Sequence, residues 1–181
     1  MEEIEDPTEK LHEVMHHGME HGGNSLNSAV ALTAAVLAVF AAITSLFSGH
    51  YINEAMVKQI KASDQWAYYQ AKGTRSTVLT TKIGILEALG KPAVQEDKDK
   101  IAQYKSDQDE IAATAKELEE SAEKHVSLHL IFAKSVTFFQ VAIAIVAVAA
   151  LSKKRAFWHF GLLLGSGGLA LLCYGIFSMY Q

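Results

Sequence analysis

EDKDKIAQYKSDQDEIAATAKELEESAEKHVSLHLIF, residues 96–132, is the stretch from which the fold is read. Within it Ile101, Tyr104, Gln108, Ile111, Ala115, Leu118, Ala122, His125, His129 and Phe132 alternate by three and four without a break. Glu, Lys, Asp and Gln fill most of the other positions as far as Lys124. Such a heptad seam, sustained over more than four repeats, predicts a coiled-coil helix. Neither Gly nor Pro stops it before the apolar run 135–152, so the helix is expected to continue into that run.

Upstream, residues 52–89 lack proline and carry a second, weaker series: Val57, Ile60, Asp64, Ala67, Ala71, Thr74, Val78, Thr81, Ile85 and Ala88. Gly73 and Gly84 each cost about 1 kcal/mol relative to Ala, so bends are expected there. Gly90-Lys91-Pro92 separates the two helices: Gly ends one and Pro opens the next. The pattern predicts an antiparallel hairpin with arms of about 60 Å at 1.5 Å per residue. Folding it about Lys91 sets Val57 opposite His125, Asn53 opposite His129, and His50 near Phe132.

Of the 181 residues, 50% are hydrophobic and 20% charged, and the two kinds are segregated. No Asp, Glu, Lys or Arg occurs from Gly22 to Asn53, from Ser135 to Ser152, or from Ala156 to Gln181. Uncharged runs near 18 residues or longer read as membrane spans. The expected fold is an all-α membrane protein with three transmembrane helices and a long antiparallel helical hairpin, a coiled-coil stalk, between the first and second. Its segments are a polar, acidic, His-rich N-terminus (1–23), transmembrane helix 1 (24–49), the extramembrane hairpin (50–134, turning at 90–92), transmembrane helix 2 (135–152) and transmembrane helix 3 (156–180). The acidic N-terminus differs from a signal peptide, so the first apolar run is expected to be an uncleaved anchor. Leu11, Val14, Met15 and Met19 outline a short amphipathic helix before it.

Two stripes of small residues suit close helix packing in lipid. Ser28, Ala31, Ala35, Ala38, Ala42, Ser45 and Gly49 form one; Gly161, Gly165, Gly168 and Gly175 form the other. Gln140 is expected to hydrogen-bond a neighbouring helix. Within the predicted spans there is no ionised residue, hence no visible proton or ion relay.

The net charge of −4, without a basic stripe bearing aromatics, points away from nucleic acid. Membrane lipid, a second copy of the chain and an unidentified protein are the expected partners. The single cysteine, Cys173, cannot form an intrachain disulfide. Lys153-Lys154-Arg155 prefers the cytoplasm under the positive-inside rule, which puts the N-terminus there and the stalk in the periplasm. Lys58, Lys61, Lys124 and Lys134 weigh against that orientation, but long translocated segments tolerate them.

The phrases Gly49-His50-Tyr51-Ile52-Asn53-Glu54-Ala55-Met56, Ser63-Asp64-Gln65-Trp66-Ala67-Tyr68-Tyr69-Gln70-Ala71-Lys72 and Leu86-Glu87-Ala88-Leu89-Gly90-Lys91-Pro92 carry a resemblance. Over the whole chain the sequence resembles a bacterial membrane-protein family known only as domain of unknown function 4337. The resemblance implies a bacterial inner-membrane location; it brings no activity, substrate or catalytic residue.

Two histidine groups are candidate sites. The predicted hairpin gathers His50, Glu54, His125 and His129, a donor set resembling that of zinc or another transition metal. The same imidazoles also read as interfacial side chains with polar tips, or as a pH switch. His12, His16, His17 and His21, among Glu9, Glu13 and Glu20, form a weaker group whose order is not that of a His-Glu-x-x-His protease. Trp66 and Tyr69 share a helix face and are expected at a contact between protomers, as are Gly161, Gly165 and Gly168. Asp64 on the weaker seam would be a buried charge, implying that further helices assemble around it. No nucleophile–base pair or phosphate loop marks an enzyme. The expected function is a homo-oligomeric structural or scaffolding protein; the alternatives are a metal or pH sensor and an oligomeric channel or transporter subunit.

Overall fold

A computed structural model describes residues 25–180. The predicted amphipathic segment and the histidines at 12, 16, 17 and 21 lie outside the described residues. Those described form three helices: α1 (Ser25–Ala88), α2 (Gln95–Ser152) and α3 (Arg155–Ser178). All three contain windows long and apolar enough to cross a membrane. The chain divides into two compact units, one of residues up to Gly49 together with those from Leu128 onward, the other His50–Ser127.

In the first unit the glycines of α3 set the packing. Gly161, Gly165, Gly168, Leu172 and Gly175 are its buried positions. A Cβ added at Gly161 would lie 2.5 Å from Val146 Cγ2, one at Gly165 2.7 Å from Leu37 Cδ2, and one at Gly175 2.7 Å from Phe132 Cε1. At Gly168 the obstacle is the Phe139 ring, 2.9 Å away. Bulky side chains of α1 and α2 thus fill the grooves that the absent side chains leave. The glycine face expected between protomers is occupied from within the chain.

The first span turns its small-residue stripe outward. Its buried line is Leu26, Val30, Leu37, Ala41, Thr44 and Ser48, whereas Ser28, Ala31, Ala35, Ala38, Ala42 and Ser45 are exposed. Close approach needs one small face, and α3 supplies it. Against that face a line containing Leu and Val fills more space than Ala and Ser would. Stacked rings add to the contact: Phe40 on Phe139 and Phe47 on Phe132, with centroids 5.9 Å and 5.6 Å apart. Ser135 Oγ donates to the Gly168 carbonyl at 2.7 Å, and Trp158 Nε1 donates to Thr33 Oγ1 at 3.2 Å. Gln140 is exposed.

In the second unit α1 ends through local hydrogen bonds rather than a side-chain cap. Lys91 N donates to Leu86 O at 2.8 Å and Gly90 N to Glu87 O at 3.0 Å, the paired bonds of a Schellman motif. Gly90 holds φ +67°, left-handed backbone that costs glycine nothing. Contacts between residues 50–88 and 95–127 run in opposite directions along the chain. Lys82 meets Asp97, Lys72 meets Asp107, Trp66 meets Glu119 and Lys58 meets Ser121. The expected register about Lys91 is displaced. Tyr51, not Val57, approaches the His125 ring; Ser48, not Asn53, meets His129; and Phe47, not His50, stacks on Phe132.

Candidate functional site

A long helix can pack one partner per face, and one face of residues 50–88 is already taken. Ala55, Ala62 and Ser76 are buried, and Lys58, Tyr69, Lys72, Leu79, Ile83 and Leu86 are intermediate between them. With Gln65 this inner line is itself spaced three and four throughout. The series read from hydropathy, Val57 to Ala88, lies two residues on, about 200° around the helix at 3.6 residues per turn. All ten of its members are exposed, Ile60 at 61% and Val78 at 62% among them. Asp64 is one of them and stands in solvent rather than as a buried charge. Residues 50–88 therefore carry two heptad faces, and the second unit uses one.

On the inner face Lys58, Lys72 and the Tyr69 carbonyl each have a partner opposite. Lys72 Nζ lies 2.6 Å from Asp107 Oδ2 and 5.3 Å and 5.1 Å from the ring centres of Tyr68 and Tyr104. The Asp107 hydrogen bond raises the Lys72 pKa above its ordinary value, outweighing the opposing effect of desolvation. Gln108 Nε2 donates to the Tyr69 carbonyl at 3.2 Å. Its amide sits 2.9 Å from where a Cβ on Gly73 would be, so Gly73 serves close approach, and the helix runs through it unbroken. Trp66 Nε1 donates to Glu119 Oε1 at 2.8 Å, and its ring meets Tyr69 edge-on at 5.6 Å. Both aromatics expected at a contact between protomers thus have partners in their own chain. Lys82 Nζ lies 2.6 Å from Asp97 Oδ2, an ion contact lacking the alignment of a hydrogen bond.

The histidines are held one by one. His125 Nδ1–H donates to the Ser121 carbonyl at 2.7 Å, one helical turn back. In the other unit His129 Nδ1–H donates to the Ser48 carbonyl at 2.9 Å. A carbonyl can only accept, so each bond places the ring proton on Nδ1. The His50 ring packs edge-on against Tyr51 at 5.3 Å. Among the described residues no three His, Cys, Asp or Glu side chains form a group that could hold a metal ion. Of the zinc-type set His50, Glu54, His125 and His129, two rings each give one nitrogen to a carbonyl, His125 to that of Ser121 and His129 to that of Ser48.

The outer face of residues 57–88 is what hydropathy found and what the second unit leaves open. On the facing arm, 95–127, the exposed side is mostly Lys, Glu, Asp and Gln, with Val126 the large hydrophobic that reaches solvent. The unsatisfied apolar surface therefore lies on one arm.

No curated protein and no solved structure matches the chain. The family model described as Domain of unknown function (DUF4337) matches residues 26–178, nearly the whole length, and the chain belongs to that family.

Proposed function

We propose that the chain is a homo-oligomeric scaffold of the bacterial inner membrane. Three transmembrane helices anchor a coiled-coil hairpin that stands as a stalk in the periplasm, with the N-terminus in the cytoplasm. The exposed heptad face from Val57 to Ala88 supports this reading most directly. Exposed Val57, Ile60, Val78 and Ile85 on one face mark a contact site, and 3–4 spacing fits a helix as the thing contacted. The outward stripe Ser28, Ala31, Ala35, Ala38, Ala42 and Ser45 gives the first span a face suited to a neighbouring helix as well.

Native mass spectrometry of the full chain released from detergent tests the reading. Wild type is expected as a closed oligomer, and Val78→Lys with Ile85→Lys as a smaller species. A wild-type protein that stays monomeric over a wide concentration range would overturn it.

A further inference from the structure

We infer that the turn between α2 and α3 is a site for an anionic phospholipid. Lys153, Lys154 and Arg155 hold the phosphate of the headgroup, and the aromatic residues that follow seat it at the bilayer surface.

Unbalanced charge is the first observation. The described residues of the first unit include no Asp or Glu, and their Lys and Arg are Lys134, Lys153, Lys154 and Arg155. Three of these four are consecutive and exposed, and the ion pairs of the described residues involve none of them. The link that carries them is tight. Helix α2 stops at Ser152 and α3 starts at Arg155, with Lys153 in left-handed backbone at φ +54°. No side chain caps α3 and no acidic residue stands in its first turn, so the helix end adds to the positive potential instead of cancelling it.

Position selects the ligand. Both helices that meet here contain windows long and apolar enough to cross a membrane, so the cations fall where hydrocarbon gives way to headgroups. Phe157 and Phe160 are exposed and Trp158 is half-buried. The indole is held in place: Nε1 donates to Thr33 Oγ1 at 3.2 Å, and that hydroxyl donates to the Ala29 carbonyl at 2.7 Å. Rings beside cations are the arrangement of a membrane–water interface. A phosphodiester suits the three cations, since a guanidinium takes two of its oxygens at once and the ammoniums bind as point charges. A phosphatidylcholine headgroup brings its own cation and gains little, whereas phosphatidylglycerol carries only the phosphate charge. The acidic segment before Ser25 is the rival occupant, but carboxylates alone leave the aromatic residues without a role.

Trp158 itself reports the site. Full chain with Trp66→Phe, which leaves Trp158 as the single tryptophan, is reconstituted in phosphatidylcholine vesicles containing a minor fraction of acyl-brominated lipid. Brominated phosphatidylglycerol should quench Trp158 about twice as strongly as brominated phosphatidylcholine at the same fraction. Salt at about 1 M, where the Debye length is roughly 3 Å, should erase the difference. Lys153→Gln, Lys154→Gln and Arg155→Gln together should erase it too, while Lys153→Arg with Lys154→Arg keeps it. Equal quenching by the two lipids would overturn the inference, as would a preference that survives the triple substitution. A preference abolished by inorganic phosphate at constant ionic strength would mark a site for free anions and overturn it as well. One that emerges only after removal of residues 1–24 would give the turn to the N-terminal segment instead.

Discussion

Lys72 illustrates how a charged residue can belong to a helical seam. Its ammonium is held between two tyrosine rings and against Asp107, and that hydrogen bond raises its pKa. A raised value fixes the sign: the contribution is complete below the ordinary 10.5 and disappears only as pH climbs through the higher folded-state value. Lys72→Met should therefore lower the melting temperature by the same amount across the neutral range, with the gap to wild type closing only in strongly alkaline solution. Melting curves of both proteins over pH provide the check. Two glycines make an opposed pair. Nothing lies within 4 Å of a Cβ placed on Gly84 inside α1, so Gly84→Ala should stabilise by about 1 kcal/mol. Gly90→Ala puts a side chain on left-handed backbone and should destabilise by about 1 kcal/mol. Chemical denaturation of the two variants should move in opposite directions. At this scale the sequence showed that Gly90 must end a helix. It did not show that Gly73 makes room for Gln108, because that requires knowing which turn of one arm faces which turn of the other.

Helices reveal why one face was legible and another misassigned. The seam of α2 was readable because its apolar and charged positions separate cleanly, and Ile111, Ala115 and Ala122 are buried as that reading requires. On α1 two faces share the same spacing. Hydropathy favours the one with Val57, Ile60, Val78 and Ile85, yet the inner face wins because Lys58 and Lys72 find Ser121 and Asp107 opposite. A scale that penalises every lysine cannot register such partners. The small-residue stripes part ways: periodicity identifies a face but not its occupant, α3's glycines receive side chains of their own chain, and the stripe of the first span is exposed. Gly161 is the sharpest case, since the stiff, branched Val146 and the Ala142 carbonyl both crowd a Cβ there. Gly161→Val should destabilise the first unit by about 1–3 kcal/mol, while Ala35→Val on the outward stripe should change little. Thermal unfolding in detergent separates the two outcomes.

Taken as a whole, the molecule is a member of its family with three helices able to cross a membrane and an exposed seam that the single chain leaves uncovered. Fold class was legible because segregated charge and unbroken periodicity are long-range patterns that no single contact controls. The histidine site was not, because the Ser121 and Ser48 carbonyls bind the rings of His125 and His129 one by one, pairings that periodicity does not reveal. The central claim is that the chain is a homo-oligomer with the outer face of residues 57–88 at its contact. Its most direct test is the distance between spin labels at position 78 in full chain embedded in a bilayer. A single short, narrow distribution between copies, lost when Ile85→Lys is added, is the predicted result. A broad or absent intermolecular signal at 78, with the protein folded, would contradict it.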